Sequence, residues 1–157
     1  MLKSITSGLR RVFKSDAQDD DENQGRFSEI LKWAEDNNIG EDRIPREPSE
    51  LIGLNRLDLS FRRLQSLPET LGELALLTEL DLRGNELKSL PASIGDLSLL
   101  RRLDLKWNQL ETLPDSFGNL TGLTKLELGY NRMTTLPAVI AKFSHITELA
   151  LCDNRLL

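Results

Sequence analysis

The sequence predicts an α/β solenoid, a coil of short parallel strands whose turns stack on one another beneath an N-terminal helical cap. Three observations predict it. Leucine makes up 33 of the 157 residues. The leucines recur every 23 residues from position 54 to the end without slipping by a residue, and an apolar stripe at helical spacing precedes them. Such a period indicates units that cannot bury their apolar faces alone and are covered by their neighbours.

Each 23-residue row opens with a predicted strand. When rows begin at residues 54, 77, 100, 123 and 146, positions 4 and 6 are apolar while positions 3, 5 and 7 are mostly polar. This alternation is typical of a strand with one buried face. Because every row returns to its start, the strands run in the same direction and pair in a parallel sheet, about 4.8 Å apart. The inward positions are Leu57, Leu80, Leu103, Leu126 and Leu149, followed by Leu59, Leu82, Leu105, Leu128 and Leu151.

The exit from each strand carries a recurring asparagine at position 9, namely Asn85, Asn108, Asn131 and Asn154. An inward-turned amide can satisfy backbone groups of adjacent coils that the sheet no longer pairs. The first row has Arg62 there, so the asparagine column is expected to begin one coil later. A Leu-Pro pair at positions 14 and 15 then marks an irregular returning arm, where proline's missing donor does no harm.

Residues 77–97, LTELDLRGNELKSLPASIGDL, resemble the 23-residue leucine-rich repeat of intracellular signalling and scaffold proteins, the Ras-suppressor-like type. The resemblance covers residues 54–157, as four full repeats and one truncated repeat. It implies a right-handed leucine-rich-repeat coil with the parallel sheet on the concave face. Because one fold hosts many functions, it does not name a partner.

Residues 26–53 are predicted to form a helical cap and a degenerate half repeat. Phe27, Ile30, Leu31 and Ala34 have helical spacing, which predicts a helix over about 27–38, and residues 44–54 align with 67–77. A terminal coil needs a cap with a polar outer face, so we favour a cap over a partner-binding helix.

Residues 1–25 are predicted to be a flexible segment, basic and then acidic. Residues 1–15 place apolar side chains among Lys3, Arg10, Arg11 and Lys14, and five acids follow within 16–23. A basic amphipathic stretch is also compatible with a membrane-surface helix, although one short helix without a second anchor would bind weakly. The simpler interpretation is a frayed terminus followed by a solvated linker.

The composition argues against catalysis, cofactors and nucleic-acid binding. With one histidine, His145, and one cysteine, Cys152, the chain offers few metal ligands or catalytic pairs, and it contains none of the common nucleotide- or zinc-binding motifs. The formal net charge of −5 does not favour nucleic acid. A lone cysteine excludes a disulfide-stapled secreted fold, so we expect a cytoplasmic protein without a cofactor.

The outward face of the sheet is the candidate binding surface. Its acids at position 5 are flanked by bases at positions 3 and 7, which could simply be a self-compensated soluble surface. The aromatic residues at position 8 favour a protein-binding face, because aromatic residues and arginine are common interface anchors. The candidate residues are Arg56, Asp58, Phe61, Asp81, Arg83, Arg102, Asp104, Lys106, Trp107, Lys125, Glu127 and Tyr130.

The last row stops at its position 12, so its strand has no returning arm. An open edge and uncovered apolar side chains favour pairing with a second copy or a partner chain, whereas fraying or truncation from a longer parent would leave them open. The residues concerned are Ile146, Leu149, Leu151, Leu156 and Leu157.

These observations together predict a non-enzymatic protein-interaction module, a scaffold, adaptor or regulator that binds a protein partner through the concave sheet. Two alternatives stay open. One is a membrane-peripheral adaptor that uses residues 1–15, and the other is the repeat portion of a larger effector-type protein.

Overall fold

The computed structural model describes residues 25–157. The predictions made for residues 1–15 and for the acidic stretch 16–23 therefore lie outside the described residues. A first helix, α1, covers 25–36 of the described residues, and a one-turn helix, α2, covers Pro48–Ile52. Five strands follow: β1 Arg56–Asp58, β2 Glu79–Asp81, β3 Arg102–Asp104, β4 Lys125–Glu127 and β5 Glu148–Ala150.

The five strands form one parallel sheet in the order β1-β2-β3-β4-β5. The register pairs equivalent row positions, for example Leu57 with Leu80 and Asp58 with Asp81. The regular strands are three residues long, but the backbone hydrogen bonds between coils continue past them, as from Phe61 N–H to the Arg83 carbonyl at 2.9 Å. Neighbouring coils therefore stay in register as far as position 8, and the predicted α/β solenoid with a parallel sheet is confirmed.

The returning arms are more regular than the sequence predicts. Where we expected an irregular arm, each of the four full coils has a five-residue 3₁₀ helix after the proline, because proline fixes φ and leads directly into a tight turn. The turns stack so closely that a Cβ on Gly72 would lie 2.5 Å from the Ser93 carbonyl oxygen. These helices are η1 Glu69–Glu73, η2 Ala92–Asp96, η3 Asp115–Asn119 and η4 Ala138–Lys142.

The N-terminal segment closes the first coil. Phe27, Ile30 and Ala34 of α1 are fully buried in the same core as the leucine columns, as is Leu51 of α2. Arg26 reaches from α1 to the first returning turn and donates a hydrogen bond to Glu73 at 2.7 Å. The helix ends at residue 36, about two residues earlier than predicted, and its apolar stripe covers the open end of the first coil as a cap does.

The asparagine column connects each coil to its neighbours and begins at Asn85, as expected. Its side chain accepts hydrogen bonds from the backbone N–H groups of Arg62 and Leu64, each at 3.0 Å, and donates to the carbonyls of Leu59 and Leu82. Asn108, Asn131 and Asn154 each accept one such N–H bond, from Leu87, Leu110 and Met133, and donate to two carbonyls in the same way. Backbone groups that leave the sheet at the strand exit thus find partners inside the protein.

Candidate functional site

The acids at row position 5, which we call the acidic column (Asp58, Asp81, Asp104 and Glu127), line the concave face, and the three aspartates are hydrogen-bonded to the backbone. Asp58, Asp81 and Asp104 each use Oδ1 to accept a hydrogen bond from the backbone N–H two residues later, at 2.9 to 3.1 Å. This local bond holds the chain in position as it leaves the strand. The predicted acidic contacts therefore have a structural role independent of any partner.

The remaining carboxylate oxygens are occupied by bases of the same face. Lys106 lies 3.5 Å from Asp104 and 3.6 Å from Glu127, and Lys125 lies 3.3 Å from Glu127. Asp81 faces the Arg83 guanidinium at 3.3 Å. Except for Lys106, these side chains line a shallow depression of about 380 Å³ on the sheet. The concave centre is thus an ion-pair network in which basic side chains flank a continuous column of acids.

The first two aspartates of the acidic column, Asp58 and Asp81, differ in their electrostatics. Burial opposes ionisation of Asp58, but hydrogen bonds from Ser60 and the pairing with Arg43 outweigh it and hold the pKa of Asp58 below its usual value. Burial raises the pKa of Asp81, and the neighbouring carboxylates of Asp104 and Asp58 add to this despite Arg83. The folded protein therefore favours the ionised form of Asp58 and disfavours the ionised form of Asp81.

The aromatic side chains at position 8 share an unusual backbone. Phe61, Trp107 and Tyr130 have φ values of 56°, 55° and 57°, in the left-handed region that bulky residues rarely adopt. Gly84, at the same position of the second coil, has φ 68°. Position 8 thus requires a left-handed backbone conformation, and glycine adopts it with the least strain. An aromatic residue there lowers the stability of the fold by roughly 1 kcal/mol relative to glycine.

The three aromatic side chains form one exposed row, which we call the aromatic ladder (Phe61, Trp107 and Tyr130). Their exposed fractions are 62%, 47% and 46%. The Phe61 and Trp107 ring centroids are 6.1 Å apart, and those of Trp107 and Tyr130 are 5.8 Å apart, with tilts of 41° and 42°. The chain therefore presents a continuous strip of apolar surface along the strand exits.

Gly84 makes the ladder continuous although it contributes no ring. The Phe61 ring lies over Gly84, so a Cβ at that position would collide with it. Because the second coil has no side chain here, Phe61 reaches across it to Trp107. The Arg83 guanidinium lies 5.8 Å from the centre of the Phe61 ring, within the range of a cation–π contact.

The far end of the ladder is bounded by the last coil. The Asp153 carboxylate beside the Tyr130 hydroxyl raises the pKa of Tyr130. Asp153 itself lies at position 8 and has φ 52°. The ladder is therefore three rings long and ends at a carboxylate.

The structure brings all twelve candidate residues onto one face, in the positions that the row alignment assigns them. Arg56, Arg102, Lys125 and Glu127 line the concave depression, and the ladder lies beside it at the strand exits. Whether these residues contact a partner stays a prediction.

Sequence reasoning missed three charged residues of this face. Arg43, from the segment after α1, pairs with the Asp58 carboxylate and donates to its backbone carbonyl at 2.9 Å. Glu79 and Glu148, at row position 3, pair with Arg56 at 2.9 Å and with Lys125 at 2.6 Å. The acidic residues at position 3 were visible in the aligned rows, whereas nothing in the pattern pointed to Arg43.

Of the five apolar side chains of the last coil that we expected to be uncovered, two are partly buried. Ile146 and Leu151 pack against the core and are only partly exposed, while Leu149, Leu156 and Leu157 are exposed. Association of this surface with a second copy stays a prediction. Cys152 has an exposed, unbonded thiol, and His145 is exposed next to Ser144 and the Thr121 carbonyl.

Two further features concern only the part of the chain that the structure describes. Between residues 25 and 157, no cluster of three or more histidine, cysteine or acidic side chains is arranged to hold a metal ion. In the same range, every helix is too short or too polar to cross a bilayer.

Comparison with solved structures shows which proteins share this architecture. The leucine-rich repeat protein LIC12759 of Leptospira interrogans is 32% identical, with a TM-score of 0.58 over 69% of this chain and 33% of that one. The PEPR1–AtPEP1 structure is 34% identical, with a TM-score of 0.60 over 71% of this chain and 16% of that one. The BIR3–SERK2 complex from Arabidopsis thaliana is 31% identical, with a TM-score of 0.56 over 62% and 55%.

The chain spans about a third or less of the first two of these proteins. A search of curated proteins gives no significant match. The family model for a leucine-rich repeat region matches residues 35–155, which include part of α1, α2, all five strands and the asparagine column. This chain belongs to the leucine-rich repeat family.

Proposed function

We propose that this chain is a non-enzymatic protein-interaction module, acting as a scaffold, adaptor or regulator, and that it binds a protein partner through the concave sheet and the aromatic ladder beside it. The observation that carries the proposal is the ladder itself. Three bulky, exposed side chains occupy backbone positions where the second coil has glycine. Strain without a gain in burial is a common mark of a functional site.

The ladder combines two properties of an interface centre. Tryptophan and tyrosine provide large contact areas at low entropic cost, and mutual packing holds the three rings in place before a partner arrives. The ion-pair network next to it contributes in another way. Because it presents both signs of charge, it disfavours partners that carry a single sign, so it acts on specificity more than on affinity.

The comparisons support this class of function. Two of the similar structures are those of PEPR1–AtPEP1 and of the BIR3–SERK2 complex. We extend partner binding, in the general sense, from these proteins to the present chain. Catalysis has no support among the described residues, because the single histidine and the single thiol have no arrangement suited to it.

The size of the sheet limits the kind of partner. Five strands, each presenting about five residues, give roughly 400 Å² of surface, about half of what each partner contributes to a standard interface. The proposal is therefore a moderate-affinity contact, or a contact with a short segment, in which the ladder supplies much of the free energy. We place it in the cytoplasm, where a lone exposed thiol stays reduced.

Affinity capture from a native lysate tests the proposal. The bait is the full chain, compared with a Trp107→Gly/Tyr130→Gly double variant, which removes two rings while giving position 8 its least strained residue. A matched control is Leu136→Ser, which removes an exposed apolar side chain distant from the sheet. We expect a partner that the wild type and the control retain and the double variant loses. Equal recovery by all three baits would refute the proposal.

A further inference from the structure

A second exposed apolar surface lies where the chain enters the strands of the first coils. Leu76 and Leu99 occupy row position 23 in adjacent coils and are 46% and 42% exposed. Ile52, at position 22 of the half repeat, is 39% exposed, and Ala75, at position 22 of the next coil, is exposed as well. We call this surface the entry patch (Ile52, Ala75, Leu76 and Leu99). It is an apolar row across three successive coils, on the opposite side of the strands from the aromatic ladder.

An acidic row, which we call the acidic flank (Glu50, Glu73 and Asp96), runs beside the entry patch at position 20 of the same three coils. A tight turn brings position 20 close to position 22, because the Ala75 N–H donates to the Glu73 carbonyl at 2.9 Å. Glu73 pairs with Arg26. Glu50 and Asp96 are exposed and have no basic nitrogen within 4.0 Å among the described residues. The acidic flank therefore has capacity for further bases.

The strand side of the entry patch carries a base instead. Position 2 is Thr78 in one coil and Arg101 in the next, and the Thr78 hydroxyl already donates to the Asn55 carbonyl at 2.9 Å. Arg101 also extends over Gly122, which occupies position 23 of the following coil, so the apolar row ends there. A segment that fits this surface needs an apolar stripe with bases along one flank only.

Residues 1–15, which lie outside the described residues, have a sequence that meets this requirement. At helical spacing, their apolar residues share one face, and three of their bases recur after seven and four residues along one flank of it. The apolar face is Leu2, Ile5, Leu9, Val12 and Phe13, the basic flank is Lys3, Arg10 and Lys14, and the other flank carries Ser4, Gly8 and Ser15.

The connection to α1 brings this segment within reach of the entry patch. Helix α1 begins at residue 25, and Arg26 contacts Glu73 of the acidic flank at 2.7 Å. The chain between residues 15 and 25 spans up to about 33 Å, whereas the patch extends about 10 Å across its three coils. A short tether gives an effective concentration on the order of millimolar, so a weak contact is sufficient. The acids within 16–23 can screen the same bases, so the apolar stripe is needed to select the surface.

We propose that residues 1–15 form an amphipathic helix that packs on the entry patch of their own chain, with its basic flank along the acidic flank. Ile5, Leu9 and Val12 are about 6 and 4.5 Å apart along a helix, close to the spacing of about 4.8 Å between coils, so each can contact one coil. This inference goes beyond the proposed function and does not involve the concave face. It gives the chain an intramolecular latch that salt weakens.

Methyl NMR of the full chain tests the contact. The exposure of the Leu76 and Leu99 methyl groups is measured as line broadening by a soluble nitroxide, with Leu136 as an exposed reference on another surface. In the variant Leu9→Glu/Val12→Glu we expect the broadening of Leu76 and Leu99 to increase roughly threefold, because the tethered helix no longer covers them, while Leu136 is unchanged. The protection in the wild type should be independent of protein concentration and should decrease as salt is raised.

Charge exchange locates the basic flank on the acidic flank. Glu50→Lys/Asp96→Lys should increase the broadening of the patch methyl groups, and so should Lys3→Glu/Arg10→Glu/Lys14→Glu. Combining the two sets restores opposite charges across the contact and should recover most of the protection. Failure of the combined variant to recover protection would overturn this placement.

The matched control is Glu111→Lys/Asp115→Lys, which makes the same change of charge at exposed residues of another coil and should leave the broadening unchanged. Thermal melts of each variant establish that the repeats are intact. Equal broadening in the wild type and in Leu9→Glu/Val12→Glu would overturn the inference. Protection that is lost on dilution would also overturn it, because a second copy would then cover the patch.

A membrane surface is the remaining occupant to distinguish. If residues 1–15 bind phosphatidylserine vesicles, and the patch methyl groups without vesicles are broadened as strongly as Leu136, the segment is a membrane anchor and the inference fails. The capture experiment with Trp107 and Tyr130 tests a different surface. The proposed function therefore stands or fails separately from this inference.

Discussion

Trp107 and Asn108 are neighbours in the chain, yet they belong to columns with opposite properties. Asn108 is buried and is hydrogen-bonded to backbone groups of two coils, whereas Trp107 is half exposed on a left-handed backbone. The asparagine column therefore holds the coils together, and the aromatic ladder adds strain without adding to the core. A single step along the chain separates residues that maintain the fold from residues that are available for recognition.

The comparison also explains why the fold can present such a surface. The leucine core and the asparagine column supply coil-to-coil contacts that do not depend on position 8, so that position can vary. Gly84 and Asp153 occupy it in two coils and aromatic residues occupy it in the other three. The following predictions test whether the asparagine column determines stability while the aromatic ladder determines binding.

Asn108→Ala should have the largest effect on stability. It leaves the Leu87 N–H without its partner, a bond of 3.1 Å. The Leu82 and Leu105 carbonyls each lose one of two amide donors and keep the other, from Asn85 and Asn131. Since an unsatisfied buried group costs about 1–3 kcal/mol and each lost hydrogen bond about 0.5–1.5 kcal/mol, we expect a loss of roughly 2–4 kcal/mol. Urea denaturation measures it. Gln109→Ala, on the next residue, is the matched control and should stay within about 0.5 kcal/mol.

Gly84→Ala should have an intermediate effect. The new methyl group meets the Phe61 ring and sits on a backbone with φ 68°. We expect a loss of about 1–2 kcal/mol from the left-handed backbone and the displaced ring, together with weaker partner binding because Phe61 can no longer reach Trp107. Unchanged stability and binding would show that the ladder does not depend on this glycine.

Trp107→Gly should change stability by less than about 1 kcal/mol. Removing the ring loses its contacts with Phe61 and Tyr130, while glycine relieves the left-handed backbone, so the two effects oppose each other. Thermal unfolding checks this, with Trp107→Ala as the comparison that removes the ring and keeps the strain. A loss above 2 kcal/mol for the glycine variant would place Trp107 with the structural residues.

The smallest effects should come from the acidic column, where two aspartates are expected to act with opposite sign. The pKa of Asp58 is lowered in the folded protein, so its ionised form adds stability above the unfolded pKa, and this is lost as pH falls through the folded pKa. The pKa of Asp81 is raised, so its ionised form reduces stability, and this loss builds up as pH rises from the unfolded pKa to the folded pKa.

The corresponding variants are Asp58→Asn and Asp81→Asn. At pH 7 we expect Asp58→Asn to lower the free energy of unfolding and Asp81→Asn to raise it, each by a few tenths of a kcal/mol, because both carboxylates are partly solvated. The difference from the wild type should vanish below the folded pKa for Asp58 and below the unfolded pKa for Asp81, because both states are then protonated. Equal signs at pH 7 would contradict this assignment.

The fold was largely predictable because its main determinants are periodic. The leucine columns, the parallel register and the hydrogen bonds of Asn85 follow from a repeat in which each residue type has one environment. The left-handed backbone of position 8 was not recognised, although one signal was present. Gly84 stands where Phe61 and Trp107 stand in other rows, and glycine at such a position is typical of a positive φ.

The candidate site was only partly predictable. The columns of the concave face followed from the alignment, because side-chain direction in a strand depends only on position. The pairing of Asp58 with Arg43 did not, since Arg43 lies outside the repeats and its reach depends on how the segment after α1 is folded. The 3₁₀ helices were missed because the rows show where the chain turns but not how tightly.

The stacking of the returning turns has a consequence for how such a chain can change length. Because Gly72 lies against Ser93 and Gly95 against Ser116, a coil that is shorter or longer by a single residue would push these backbones into each other. We therefore expect this array to accept duplications or deletions most readily in whole units of 23 residues, and each added unit would lengthen the row of position-8 side chains by one.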